Sequence, residues 1–166
     1  MGGAFASDLI FFSTVRDERV SQTELRFLNI GGRMVWTGLL LIIVSGIIVF
    51  LSNPEVYLAS DKFLVKMTVV GIIFLNGLVF HIIHLPRFHR HATEHFPSSD
   101  EFMRAVPFLL IGGVISSVSW FSAFILGLWK NAPYSYLEML SVYLLVIFLG
   151  IIFAILMKKK FIPHSR

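Results

Sequence analysis

The sequence contains no cysteine. That absence excludes disulfides, thiolate metal sites and cysteine-held iron–sulfur clusters, so any metal chemistry rests on histidine, carboxylates, methionine or backbone. Charge is scarce as well. Asp, Glu, Lys and Arg make up 14% of the chain. None of them occurs from Met34 to Pro54, Met67 to Pro86, Ala105 to Trp129 or Met139 to Met157. There is no low-complexity run, no fixed-period repeat and no signal-peptide cleavage pattern.

What fills the uncharged stretches is apolar, and hydrophobic residues account for 56% of the chain. A bilayer core requires about 20 apolar residues per helix, and each stretch is close to that length. The expected fold is therefore an all-α polytopic membrane bundle forming a single domain over residues 1–166. Its full spans are expected at about 34–52, 63–85, 105–129 and 135–157. Pro54, Pro86 and Pro133 fall at span ends, where a missing backbone donor does least harm, and Pro107 suits a first helical turn. Trp36, Tyr57, Trp129, Tyr134 and Tyr136 lie where aromatic rings sit at headgroup level.

Orientation follows from the basic residues. Of the 14 Lys and Arg residues, Lys62, Lys66 and Lys130 fall on one side of the four spans and all the rest on the other. The crowded side, which holds the His-rich loop and the C-terminus, is expected in the cytoplasm of a bacterial inner membrane. The net charge of +4 is thus a topology signal, and no nucleic-acid partner is expected. The expected surroundings are the lipid bilayer, with a homo-oligomer or a membrane partner subunit left open.

The segment Ala4 to Val15 is apolar but short. At ~1.5 Å per residue, fifteen residues reach about 22 Å of a ~30 Å hydrocarbon core. It is expected to be a short interfacial helix or the inner end of a helix whose outer part the chain lacks. Ser21-Gln-Thr-Glu24 has the spacing of a capping box, so the first span is expected to start there and pass through Gly31-Gly32, a candidate kink.

Polar residues inside apolar spans are costly and mark interior or functional positions. At 100° per residue, Lys66, Val70, Ile73, Gly77, His81 and His84 fall within about 80° of one another on the second span. Asn76 lies near that span's midpoint and Asp8 sits within the N-terminal apolar segment; with Lys66 they are the candidate buried polar residues. Lys66 has an alternative, snorkelling to the outer headgroups. His81 and His84, three apart, are candidate cofactor ligands, and with His91 and His95, four apart, candidate metal ligands. A bis-histidine haem needs imidazoles on opposite sides of the iron, so two neighbours on one helix do not suffice. The second ligand would come from the His-rich loop, another subunit or a preceding helix.

The third span carries a stripe of small residues, Gly112, Ser116, Ser119, Ala123 and Gly127, with Trp120 beside it. Small residues let membrane helices approach closely, so this span is expected to be the packing hub.

Gly2 to Phe12, Trp36 with Ser45-Gly46, Lys62 to Met67, Asn76-Gly77 with His81, and Ser119-Trp120 together resemble a family of small bacterial multi-helix membrane proteins. A Ser-Gly helix, an outer loop and then a helix with an early Lys and a late His is also similar to membrane haem-pathway oxidases and copper-resistance D-type proteins. The resemblance implies haem b as cofactor and His81 or His84 as a ligand. Members of those groups begin with a complete helix, often bearing a His, whereas this chain enters partway along it. Three functions are carried forward: a b-type haem or redox protein, a metal-ion handling or transport protein, and a non-catalytic assembly or structural subunit. Whether the chain is an enzyme is left open.

Overall fold

A computed structural model describes residues 22–84, 86, 100–130 and 132–161 of the chain. The short N-terminal helix expected over residues 4–15, with Asp8, and the loop residues His91 and His95 lie outside the described residues. Helix α1 spans Gln22–Ser52, the short α2 spans Pro54–Leu58, and α3 spans Asp61–Val79 before continuing as a π-turn over Phe80–His84. Helix α4 covers Asp100–Leu128 and α5 covers Tyr136–Phe161. Four of these are long and apolar enough to cross a membrane, over Asn29–Ser52, Asp61–Ile83, Pro107–Leu128 and Tyr136–Leu156. The protein is an all-helical membrane bundle.

Helices α1, α4 and α5 run past the apolar spans because polar residues continue the helix beyond hydrocarbon depth. One consequence concerns Pro107. It opens the apolar part of α4 yet lies inside the helix, which already begins at Asp100. The expected first-turn position is therefore wrong. An interior proline removes one helical donor and crowds the carbonyl four residues back, and membrane helices accommodate this by local readjustment.

The connections between α1 and α3 and between α4 and α5 are built locally. Pro54 starts α2 with its ring where no backbone donor is needed. Ser60 caps α3 by accepting from the Phe63 amide at 3.4 Å. Phe63 in turn receives Phe50 in a stacked contact at 5.9 Å and Tyr57 at 5.2 Å, joining the ends of α1, α2 and α3. Ser135 and Glu138 form a reciprocal capping box at the start of α5. The carboxylate accepts from the Ser135 amide at 2.8 Å, and the Ser135 hydroxyl accepts from the Glu138 amide at 3.4 Å.

The core lies among α3, α4 and α5, with Leu39 of α1 reaching in. Val65, Val69, Val70 and Ile73 of α3 are buried against Trp120 and Leu126 of α4 and Tyr143 of α5. Helix α4, the third span, approaches both α3 and α5 closely, while α3 supplies most of the buried residues. The small-residue stripe of α4 divides accordingly. Ser119 is fully buried, Ala123 packs on the core, Ser116 is half-buried, and Gly112 lies under Asn76. Gly127 departs from the stripe: it is exposed, and a Cβ added there would meet nothing within 4 Å. Its neighbour Leu126 is the buried residue of this last turn, so Gly127 lies on the other side of the helix from the core.

A different glycine carries the close approach of α4 and α5. A Cβ on Gly150 would come within 2.7 Å of Val114 Cγ1, and a β-branched valine on a helix has little rotamer freedom with which to yield. Gly150→Ala is therefore expected to destabilise the bundle by about 1–3 kcal/mol through overpacking. Gly127→Ala is expected to be neutral or stabilising by up to about 1 kcal/mol, since alanine is the better helix former. Thermal melts of the two variants in the same detergent should move apart in this order, and equal melting points would refute the packing assignment.

Candidate functional site

The polar residues of the spans separate into those consumed by packing and those left at its edge. Near the C-terminal end of α3, Asn76 is half-buried, and its Nδ2 donates to the Gly112 carbonyl of α4 at 3.1 Å. Gly112 has no side chain to hold the amide away, and a Cβ there would lie 3.5 Å from Asn76 Oδ1. Nearer the outer end, the Thr68 hydroxyl is within 3.2 Å of the Tyr136 hydroxyl, which ties α3 to α5. The tightest of these links joins α4 to α5. Ser119, at 0% exposure, shares a 2.7 Å hydrogen bond with Tyr143, itself 5% exposed, and donates to the Ile115 carbonyl at 2.5 Å.

Sequence reasoning missed Tyr143, whose hydroxyl stands among the apolar residues of α5. The visible signal was a tyrosine one-third of the way along an otherwise aliphatic span, where a buried phenol requires a partner. Lys66 is half-buried one turn into α3 from Lys62. Lys62 itself reaches across to donate from Nζ to the Trp129 carbonyl at the end of α4. A cation at a helix C-terminus meets the free carbonyls there and the negative end of the helix dipole. Trp129 and Tyr134 close the same end with an edge contact at 5.7 Å.

The C-terminal end of α3 behaves differently. After Val79 the helix widens into the π-turn Phe80–His84, and Pro86 follows. In a regular helix the Pro86 ring would crowd the carbonyl of Ile82 four residues back; the wider turn relieves that crowding. It also breaks the 100° spacing on which the expected stripe was drawn. Val70 and Ile73 are buried and Lys66 and Gly77 half-buried, as one face of a regular helix; His81, beyond them, is exposed. For His84 the backbone alone is described. π-turns of this kind recur at functional sites.

His81 nevertheless has a defined neighbour. Its ring meets the Trp36 indole edge-on at 6.3 Å, and the same indole meets Phe74 edge-on at 5.6 Å. Between them lies Gly77, where a Cβ would sit 3.9 Å from Trp36 Cζ2. Trp36, expected as an interfacial anchor, thus lies along α3 over residues 74, 77 and 81. No hydrogen bond reaches the His81 imidazole from the described residues. Among the described residues no three His, Asp or Glu side chains converge as a metal site. The structure therefore joins Asn76 to Gly112 and Ser119 to Tyr143, but does not join His81 to a second ionisable group.

The sequence matches no family model, and no curated protein or solved structure is significantly similar to it.

The Ser119–Tyr143 link makes a direct prediction. A double-mutant cycle of Ser119→Ala and Tyr143→Phe should yield a coupling energy of about 0.5–1.5 kcal/mol in unfolding measured in mixed micelles. Additive single effects would show that the two hydroxyls contribute independently.

Proposed function

We propose that this chain is a b-type haem-binding membrane protein of a bacterial cytoplasmic membrane, with His81 as one axial ligand. The observation that carries the reading is the position of His81. It stands clear of the packed core at the inner end of a span, without a hydrogen bond from the described residues and with its ring set against Trp36. A neutral imidazole is a good ligand for haem iron. The surrounding residues suit a planar macrocycle, because Gly77 one turn earlier adds no side chain and Trp36 and Phe74 present aromatic surface.

The donor set fits one axial position. Bound haem supplies one-electron chemistry. The chain's own contribution is to ligate, to orient the imidazole, and to surround it with apolar helix, which lowers the local dielectric and tunes the potential. The resemblance to membrane haem-pathway oxidases and copper-resistance D-type proteins supports the same reading. In this proposal the C-terminus and the loop between α3 and α4 face the cytoplasm, on the strength of the basic-residue asymmetry.

Full-length protein purified with haem supplied is expected to show a Soret band that His81→Ala abolishes and that imidazole restores in His81→Gly. A Soret band indifferent to His81, or none at all, would overturn the haem reading in favour of a packing or assembly subunit. Topology is tested separately. Reporter fusions placed after Lys160 and within the loop containing Asn53 and Ser60 should report opposite sides of the membrane. The same side for both would refute the orientation.

A further inference from the structure

Helix α1 is held to the bundle differently from the others. The pairs α3–α4, α4–α5 and α3–α5 approach closely along their backbones, whereas α1 makes its close backbone approach to the short α2. Its attachment to α3 runs through side chains: Leu39 in the core, Phe50 on Phe63 at the outer end, and Trp36 at the inner end. Trp36 is the one of these that touches a group with chemistry. It lies against Phe74, Gly77 and His81, spaced three and four residues apart along one side of α3, so a single rigid indole spans the regular helix and the first residues of the π-turn.

That placement has a physical consequence for His81. A wider turn loosens the rotational register of the residues it contains, and an exposed imidazole with no hydrogen bond from the described residues lacks the partner that usually fixes a ligating histidine's ring plane. The aromatic edge contact is what remains to do so. Aromatic pairs at such separations and near-perpendicular angles are attractive beyond the area they bury. Gly77 makes the contact possible, because a larger side chain there would stand between the indole and α3.

We propose that Trp36 is a positioning residue for His81: its indole, seated over Gly77, holds the imidazole in one orientation at the π-turn and so couples the docking of α1 to the readiness of His81 to ligate haem. The haem half of this statement rests on the function proposed above, while the hold of Trp36 on His81 does not. The indole substitutes for the hydrogen-bonding partner of a ligating histidine, and α1 becomes a wall of the site.

The test uses the full chain in nanodiscs, with Trp36→Leu and Trp36→Phe beside the wild type. In the unloaded protein, the His81 imidazole resonances of a histidine-labelled sample, assigned by their loss in His81→Gln, should shift in Trp36→Leu and stay near their original positions in Trp36→Phe. On adding haem, Trp36→Leu should raise the dissociation constant about tenfold and move the Soret maximum, with Trp36→Phe restoring both. Unshifted His81 resonances in Trp36→Leu overturn the inference whatever the haem result. Loss of the Soret band in His81→Ala with unchanged haem binding in Trp36→Leu overturns the coupling and leaves the haem reading standing. Shifted resonances with a Soret band indifferent to His81 support the contact and overturn the haem reading. A melting point for Trp36→Phe equal to wild type keeps folding out of the comparison.

Discussion

The rest of this structure depends on the absence of water around the spans. Inside a hydrocarbon core each unpaired polar group costs several kilocalories per mole, so the protein itself must supply every partner. The side chains of α1 meet this requirement within their own helix. Thr37 donates to the Arg33 carbonyl at 2.9 Å, Ser45 to Ile42 at 3.0 Å, and Ser52 to Val49 at 2.6 Å. Such self-contained hydroxyls place no demand on a neighbour, and α1 is correspondingly the helix least closely packed by its backbone. Asn76, Ser119 and Tyr143 bond across helices instead, and the helices that carry them form the compact part of the bundle.

Two kinds of helix contact follow. Where a small residue faces a neighbouring helix, backbones come together: Gly112 beneath Asn76, Ser119 against Tyr143, and Gly150 against Val114. Lipid tails are as apolar as leucine, so burial drives association weakly here, and packing and hydrogen bonds decide it. Where large aromatic residues meet, helices stand further apart and are bridged by rings, as with Trp36 on Phe74 and Phe50 on Phe63. The apolar exteriors of α1 and α5, including Leu40, Ile48, Leu145 and Phe153, are exposed to what surrounds the bundle, which for helices of this composition is lipid.

Hydropathy made the four spans legible because it depends on composition and length, and these are local properties. The capping box at Ser135 and Glu138 is equally local, a Ser-x-x-Glu spacing like that of Ser21 and Glu24, but it was not among the readings of the sequence. Contacts between helices were legible only in part. A stripe of small residues identifies a face able to approach a neighbour, but which residues of it meet one is a property of the assembly, and so Gly127 was included and Gly150 missed. The exposure of His81 was hidden for another reason. A fixed 100° step presumes an unbroken α-helix, and Pro86 with the wider turn before it invalidates that step where the histidines begin.

That break in periodicity separates the stable part of α3 from its chemically available part. Up to Val79 the helix spends its polar capacity on structure: Thr68 and Asn76 are engaged with α5 and α4, and Val69, Val70 and Ile73 between them are buried. A side chain so engaged cannot also bind a ligand without weakening the bundle. Beyond Val79, in the π-turn, His81 is exposed and outside the buried cluster, where its loss or engagement leaves the Val65–Ile73 core untouched. Stability and reactivity thus occupy different segments of one helix. The proline that would crowd a regular helix produces the separation, and Trp36 supplies order where the regular helix ends.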